Sequence, residues 1–274
     1  MRYLPSPAET KRLSPEELRA QFLVEGLFVP GAITLQLIDL DRVIVGAAVP
    51  LARPLTLEAP EALLAEYFCQ RRELGVLNIG APGSVTVDGA QIPVRPHEVL
   101  YVGRGSREVI FASNDPSTPA QFYLVSYPAH AVHPVRLMTT ADADVLELGA
   151  VESANKRRVR RYIHKGGAPS CQLVMGVTTL DEGSVWNTMP AHTHDRRTEV
   201  YLYFGLPADA MIVHLMGEPT ATRSLIARNG EVALSPGWSI HSGCGTRAYA
   251  FCWAMGGENQ DYADMQVVGM ETIR

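Results

Sequence analysis

Short runs of β-forming residues, separated by turn residues, recur along most of the chain. Within each run, apolar residues either alternate with polar ones or stand together, and Gly, Pro, Asn or Asp follows the run. Many short strands with turn signals about every 8 to 12 residues are typical of a β-sandwich or β-barrel. We therefore predict an all-β fold with a few short helices. The predicted strands lie at residues 77–80, 84–89, 99–103, 108–113, 121–127, 171–180, 199–204, 210–216, 232–237 and 249–255.

The two halves of the chain follow a similar order of turns and strands. Residues 80–105 run from a Gly-Ala-Pro-Gly turn through a strand to Pro96, His97 and a second strand. Residues 217–245 repeat this order around Pro236 and Gly237. The repetition predicts two barrels in tandem, a first over residues 1–150 with leading helices and a second over residues 151–274, joined around 135–155.

Two helices are predicted in the first half. Ser14 is a suitable N-cap, Pro15 fits the first helical position, and Glu17 completes a capping box, so a helix is expected from about residue 15 to 23. A second helix is predicted from Pro60 to Glu73, where apolar residues recur at helical spacing.

Composition excludes several classes of protein. The chain has 274 residues, 46% hydrophobic and 19% charged, with a net charge of −5. These values are those of a globular protein and lack the basic character of a nucleic-acid binder. No signal-peptide pattern and no apolar run of membrane-spanning length is found, and the four cysteines stand far apart. We expect a cytoplasmic protein with no membrane and no nucleic-acid partner.

A basic cluster precedes the predicted strands of the second half. Lys156, Arg157 and Arg158 are followed by Arg160 and Arg161. Such a cluster is either a solvated turn or a site for an anionic substrate.

The strongest chemical signal is a set of histidines and one glutamate in the second half. His192 and His194, two positions apart, share one face of a strand. Glu199 opens the next strand, and His241 follows the Pro-Gly pair at 236–237. Three imidazoles and one carboxylate on separate strands suit zinc, iron, manganese or nickel. Asp195 is an alternative carboxylate ligand, although it lies in the turn beside His194.

The other histidines are weaker candidates. His97 is expected in a turn, and His214 inside a strand is expected to be a satisfied barrel residue. His130 and His133 have no predicted ligand role. A substrate role is conceivable for His164, beside Tyr162 and Lys165.

Long segments of the chain resemble the 5-keto-4-deoxyuronate isomerase family, also called 4-deoxy-L-threo-5-hexosulose-uronate ketol-isomerases. The resemblance extends over nearly the whole chain, and such segments matching in order are more specific than the metal motif alone. The matching segments are residues 17–35, 41–50, 67–83, 126–134, 170–204 and 256–266.

This resemblance implies a tandem two-barrel cupin (double-stranded β-helix, or jelly roll) without metal in its N-terminal barrel. It implies one zinc ion on His192, His194, Glu199 and His241. The implied reaction is aldose–ketose isomerisation of a keto-deoxyuronate in the breakdown of pectin or related polymers. The family is also described as hexameric, so a homo-hexamer is implied.

Isomerisation moves a hydrogen between adjacent carbons, which requires a base near the carbon and a group that stabilises charge on oxygen. Glu199 is expected to be committed to the metal. The negative charge of the substrate carboxylate needs a cation as its partner. Arg is well suited to this role because its guanidinium binds a carboxylate in bidentate geometry. The candidate catalytic residues are Glu258, Asp261, Tyr262, His164 and Lys165. The candidate substrate-binding residues are Arg161, Tyr162, Lys165, Tyr201 and Tyr203, with Arg196 and Arg197 behind them.

Three alternatives remain open on the sequence alone. The zinc is either catalytic or structural. Three histidines and a glutamate also suit an iron-dependent cupin dioxygenase. A non-catalytic uronate-binding cupin is the third possibility.

Overall fold

Antiparallel β-strands make up most of the chain in the computed structural model, which describes residues 1–258 and 260–274. The strands of the first part are β1 (Leu23–Val24), β2 (Ile33–Leu37), β3 (Ile44–Ala48), β4 (Leu55–Thr56), β5 (Arg72–Asn78), β6 (Gly83–Val87), β7 (Ala90–Val94), β8 (Val99–Val102), β9 (Val109–Ser113), β10 (Phe122–Pro128) and β11 (Arg136–Met138). The later strands are β12 (Asp144–Leu148), β13 (Arg157–Ile163), β14 (Val174–Leu180), β15 (Trp186–Asn187), β16 (His192–Thr193), β17 (Arg197–Phe204), β18 (Ile212–Glu218), β19 (Ala221–Ala227), β20 (Val232–Ser235), β21 (Ser242–Gly245), β22 (Ala250–Gly257) and β23 (Gln266–Val267).

The chain divides into two compact units, and each is built from segments that are not contiguous in the sequence. The first unit contains residue 1 with residues 26–143 and 162–174, and the second contains residues 2–25, 144–161 and 175–274. The leading helices, which the sequence analysis attached to the first barrel, thus belong to the second unit. A division of the chain at residue 150 stays a prediction.

Helices are short and lie near the N-terminus. They are α1 (Pro7–Thr10) and α2 (Pro15–Phe22). At α2 the Ser14 side chain accepts from the Glu17 amide, and the Glu17 side chain accepts from the Ser14 amide. This reciprocal capping box confirms the predicted first helix.

The predicted helix over residues 60–73 is wrong. The structure has two short 3₁₀ turns there, Glu61–Leu63 and Phe68–Gln70, followed by the start of β5. Leu64 has a φ of 46° and is 84% exposed, so it interrupts any helix and does not contribute to an apolar face. The helical spacing of apolar residues arose by coincidence across two separate turns.

In the first unit, a six-stranded sheet in the order β11-β8-β5-β10-β3-β2 and a four-stranded sheet in the order β4-β9-β6-β7 enclose the core. Val76 and Leu100 from the larger sheet pack in one cluster with Val85 and Phe111 from the smaller sheet. All four side chains are fully buried. This is the two-layer arrangement of a sandwich or jelly roll, as the strand pattern predicted.

The second unit has the same layered design. Its larger sheet has seven strands in the order β1-β20-β17-β22-β14-β13-β12, and its smaller sheet has the order β15-β21-β18-β19. A further two-stranded pairing joins β16 to β23, with His192 opposite Val267. The last strand of the chain therefore binds the strand that carries the first histidine of the metal motif.

Within the described residues, the structure contains no helix long and apolar enough to cross a membrane.

Candidate metal centre

The four predicted ligands converge on one point in the second unit. His192 lies on β16, Glu199 on β17, and His241 directly before β21. The ligand atoms of these residues and of His194 all lie within 4.8 Å of one another. His194, Glu199 and His241 are almost fully buried. The structure thus brings together the set that the sequence pattern predicted, with Glu199 rather than Asp195 as its carboxylate.

The separations of the ligand atoms are those of a shared coordination sphere. His192 Nε2 lies 3.1 Å from His194 Nε2 and 3.0 Å from His241 Nε2. Glu199 Oε2 lies 3.1 Å from His194 Nε2 and 3.0 Å from His241 Nε2. Two atoms that bind one ion at about 2.0–2.1 Å lie roughly 3 Å apart, so these distances fit a single bound cation.

The proton positions on two rings can be deduced from their outer contacts. His194 Nδ1 lies 2.9 Å from the main-chain carbonyl oxygen of Asp264, which only accepts, so Nδ1 carries the proton. Ser235 Oγ donates to the Ser239 carbonyl oxygen, which leaves it to accept from His241 Nδ1 at 3.0 Å. In both rings Nε2 therefore presents a lone pair to the centre.

These lone pairs make the residues fit a metal. Without a cation, two imidazole lone pairs would face the Glu199 carboxylate, and the repulsion would be costly at a buried site. A divalent cation converts the same arrangement into favourable coordination. Metal-binding histidines usually donate their second ring N–H to a carbonyl, carboxylate or water, as His194 does here.

The environment also favours the protonation states that bind metals. Burial, followed by repulsion from His241, lowers the pKa of His192 to about 2, so the ring is neutral near neutral pH. Burial alone would raise the pKa of Glu199, but attraction to His241 and His194 in their protonated forms outweighs it and holds that pKa below its ordinary range. A bound cation takes over this attraction when the rings are neutral. Neutral imidazoles and an ionised carboxylate are the ligand forms.

The structure shows why a glycine stands at position 237, in the Pro-Gly pair that precedes His241. The Gly237 carbonyl oxygen accepts from the His194 amide at 3.1 Å. A Cβ at Gly237 would lie 2.5 Å from the His194 carbonyl oxygen, which is too close for any side chain. The glycine lets the turn before His241 pack against the backbone of His194, so the two ligands are brought together by a main-chain contact.

A cavity of about 260 Å³ opens onto the cluster. Apolar walls come from Phe251, Trp253 and Met255 on β22. Polar groups come from Thr188 and Tyr201, whose hydroxyl groups lie 3.3 Å apart. A small cavity with apolar walls and a few convergent polar groups is the usual form of a small-molecule site.

Two predicted site tyrosines line this cavity. Tyr201 is buried on β17 and stacks on Phe251 with ring centroids 5.0 Å apart. Tyr262 packs against Trp253 at 5.4 Å. Burial raises the pKa of both phenols, so each stays protonated and can donate a hydrogen bond.

Tyr203 shares the face of Glu199 and Tyr201, as the strand parity predicted, but it lies deeper in the barrel. Its hydroxyl lies 2.7 Å from His214 Nδ1, and both residues are fully buried. Burial lowers the pKa of His214 to about 3, so this ring is neutral. Tyr203 is not a wall residue of the cavity in the described structure.

The predicted arginines occupy different places. Arg161 is ion-paired with Asp144, and its guanidinium lies 5.0 Å from the centre of the Tyr262 ring. Arg196 is exposed and pairs with Glu258 at 3.1 Å. Arg197 is fully buried, and its Nη2 donates to the Asp264 carbonyl oxygen at 2.7 Å. None of the three arginines lines the cavity.

The remaining predicted site residues are not brought to the cavity wall. Glu258 and Asp261 are exposed in the second unit. Tyr162, His164 and Lys165 belong to the first unit. There the Tyr162 hydroxyl donates to the His97 carbonyl oxygen at 2.8 Å, and His164 Nδ1 accepts from the Gly166 amide.

Two features of the site were not selected from the sequence. Arg157 lines the cavity, although it was noted only as part of the basic cluster. The alternation of β13 could have separated it from Arg158 and Arg160, because Arg157, Val159 and Arg161 share a face. The Asp264 carbonyl belongs to the main chain, so no side-chain pattern pointed to it.

A two-sheet β-barrel that holds three histidines and one glutamate around a single point is a cupin with a candidate metal centre. The chain belongs to the KduI/IolB family, whose sequence model matches residues 34–268.

Curated relatives match over the full length. A 4-deoxy-L-threo-5-hexosulose-uronate ketol-isomerase from Opitutus terrae is 50% identical, with 100% of this chain and 99% of that protein covered. Proteins of the same name from Formosa agariphila and Caldicellulosiruptor bescii are 50% and 47% identical. Each comparison covers 100% of this chain, with 98% and 99% of the respective relative.

Solved structures agree on the fold. An IolB-like protein from Salmonella typhimurium superimposes with a TM-score of 0.74 at 16% identity, covering 90% of this chain and 96% of that one. Oxalate decarboxylase from Bacillus subtilis, whose Mn(II) centres have been studied, has a TM-score of 0.57 at 10% identity, covering 82% and 71%. Both confirm the cupin fold predicted from the sequence.

Proposed function

We propose that this chain is a ketol-isomerase that converts 4-deoxy-L-threo-5-hexosulose uronate to 3-deoxy-D-glycero-2,5-hexodiulosonate in the breakdown of pectin or related uronate polymers. The observation that carries the proposal is the match at 46–50% identity over the full length of relatives that bear this name. The cavity at the histidine cluster supplies a site of suitable size and chemistry.

The reaction takes place at the aldehyde end of the substrate. A hydrogen leaves the carbon that bears the neighbouring hydroxyl group and a hydrogen is added to the aldehyde carbon, so the ketone forms one position along the chain. The substrate is neither oxidised nor reduced overall. The protein must hold the two oxygens in one orientation, exclude bulk water and move protons at defined atoms.

We propose that His192, His194, Glu199 and His241 hold a zinc ion that assists the reaction at the aldehyde end of the substrate. When bound, it supplies Lewis acidity towards the substrate oxygens. The donor set suits zinc, and Nδ1 contacts such as His194 to the Asp264 carbonyl fix the ligand rings.

We assign to Tyr262 the role of general acid, which donates its proton to a substrate oxygen, with Tyr201 as a second hydrogen-bond donor. The proton that leaves carbon passes to a different group, because a protonated phenol cannot act as a base. Both line the cavity, and both phenols remain protonated because burial raises their pKa. A protonated phenol can donate to a substrate oxygen as negative charge develops there. Tyr262 is the one predicted catalytic residue that lines this cavity, since the others, Glu258, Asp261, His164 and Lys165, are not among its described wall residues.

The family resemblance also implies six chains in the assembly. Light scattering after size-exclusion chromatography tests this directly, with a mass near six times 29.9 kDa expected.

The proposed reaction is tested by following the metal-loaded protein with the keto-deoxyuronate by proton NMR in D₂O. We expect loss of the aldehyde signal, appearance of the ketone product, and incorporation of solvent deuterium at the former aldehyde carbon. Oxygen consumption is measured in the same sample. Oxygen uptake without isomerisation would instead identify an oxygenase, and binding without any turnover would identify a non-catalytic sugar-acid-binding protein.

A further inference from the structure

Arg157 lies on the wall of the cavity that contains the histidine cluster. It begins β13, and Val159, two residues further along the same face, also lines the cavity. Among the cavity-lining residues that the structure describes, Arg157 is the only Lys or Arg. A bound anion would therefore meet one arginine in addition to the metal cluster.

The charge of Arg157 has no carboxylate partner within salt-bridge distance in residues 1–258 and 260–274. Its Nη1 donates to the main-chain carbonyl oxygen of Asn155 at 2.9 Å. That bond holds the side chain in place but leaves the positive charge uncompensated and the other guanidinium donors available. A partly buried cation facing an apolar cavity is costly unless an anion pairs with it.

The neighbouring arginines on the strand differ in this respect. Arg161 shares the face of Arg157, but Asp144 already neutralises it. Arg158 points away, is exposed, and pairs with Glu147. Tyr262 and Tyr201 are the cavity-wall groups whose ionised forms would raise the pKa of Arg157, and burial keeps both uncharged. Arg157 is thus the unneutralised cation of this cavity.

We infer that the guanidinium of Arg157 binds the carboxylate of the substrate in bidentate geometry. The aldehyde end of the sugar acid, opposite the carboxylate, then lies at the histidine cluster. The inference rests on the proposed function for the identity of the reacting end. It assigns to one residue the preference for a sugar acid over a neutral sugar. Planar guanidinium groups match carboxylates with two parallel hydrogen bonds, which lysine does not reproduce.

The carboxylate takes no part in the hydrogen transfer. Its contact with Arg157 is therefore equally strong in the bound substrate and in the transition state. Loss of the contact is expected to raise KM for the uronate more than it lowers kcat.

The test compares Arg157→Gln and Arg157→Lys with Arg158→Gln as a matched control on the same strand. Each metal-loaded variant is assayed with the keto-deoxyuronate and with its methyl ester, which lacks the charge. For Arg157→Gln we expect kcat/KM for the acid to fall at least tenfold, mainly through KM, and the ratio of acid to ester to fall towards one. Arg157→Lys should lie between Arg157→Gln and wild type, and Arg158→Gln should behave as wild type.

An unchanged ratio of acid to ester in Arg157→Gln, with metal content and melting temperature retained, would overturn the inference while leaving the isomerase intact. If the wild type does not isomerise the uronate, the proposed function fails, and calorimetry with galacturonate and galactose decides the inference separately. Galacturonate binding that is lost in Arg157→Gln supports a carboxylate site at Arg157. Equal binding by the two proteins, or no galacturonate binding by the wild type, overturns it.

Discussion

The His194 ring donates its Nδ1 proton to the main-chain carbonyl oxygen of Asp264, 70 residues later in the chain, at 2.9 Å. The same oxygen accepts from Arg197 Nη2 at 2.7 Å. The C-terminal segment therefore fixes the orientation of a ligand ring, and its Tyr262 and Val267 also form part of the cavity wall. The histidine cluster and the end of the chain are thus joined by direct contacts.

Removal of this segment should weaken metal binding. We expect a chain that ends at Asp261 to bind zinc about 10- to 100-fold more weakly than the full chain, the range found when outer contacts of ligands are lost. A chain that ends at Gly269 retains the Asp264 carbonyl and β23, and serves as the control. Titration with a zinc-binding dye measures both affinities. Equal affinities in the two chains would show that the carbonyl does not orient His194.

Tyr262→Phe should separate chemistry from packing. The ring contacts with Trp253 and Arg161 are retained, so the fold and the metal content should not change. Loss of the phenolic proton is expected to lower kcat by about 100-fold or more, the contribution typical of a general acid. Steady-state kinetics with metal analysis of the same sample provide the measurement. An unchanged kcat would reduce Tyr262 to a wall residue.

Tyr203→Phe should affect stability rather than turnover. The hydroxyl of Tyr203 is the hydrogen-bond partner of buried His214, and its loss leaves a ring nitrogen unpaired. We expect the free energy of unfolding to fall by about 1–2 kcal/mol. Tyr3 is 71% exposed, so Tyr3→Phe is the matched control. Denaturant unfolding gives the stability, and a higher KM at unchanged stability would instead place Tyr203 in the substrate site.

In the first unit, Glu73 is a buried polar residue whose hydrogen bonds are expected to stabilise the fold, as the Tyr203–His214 pair does in the second unit. Its fully buried carboxylate accepts from the Tyr101 hydroxyl at 2.8 Å and from the amides of Cys171, Gln172 and Leu173 at 2.7–2.8 Å. Glu73→Ala leaves these donors unpaired and should destabilise the unit by on the order of 3 kcal/mol.

Glu66→Ala is the control for this change, because Glu66 is an exposed carboxylate of the same unit. Thermal unfolding of both variants is the measurement. Equal melting temperatures would mean that the segment at 171–173 is held without Glu73.

The sequence predicted many of the barrel strands, although not β2, β3, β7, β13 or β19, and it predicted the four residues that converge in the histidine cluster, because both leave local signals. Alternation marks β17 and a continuous apolar run marks β22, and the spacing of His192, His194 and Glu199 follows from strand geometry. Local spacing failed at residues 60–73, where Leu64 adopts a left-handed conformation and the apolar residues serve separate turns.

The substrate end of the site was harder to predict because it depends on contacts between distant segments. Arg157 and Arg161 look alike in the sequence, and only the ion pair of Arg161 with Asp144 distinguishes them. The role of Asp264 is carried by a main-chain oxygen that every residue possesses. Selection of either residue required the three-dimensional arrangement.

The central claim is that the histidine cluster holds the metal on which isomerisation depends. The most direct measurement is elemental analysis together with the isomerase assay on wild type, His241→Ala and His130→Ala, whose histidine is exposed and lies in the first unit. We predict about one zinc per chain and full turnover in wild type and His130→Ala, and loss of both in His241→Ala. A His241→Ala protein that has lost its metal but still isomerises the uronate would contradict the account.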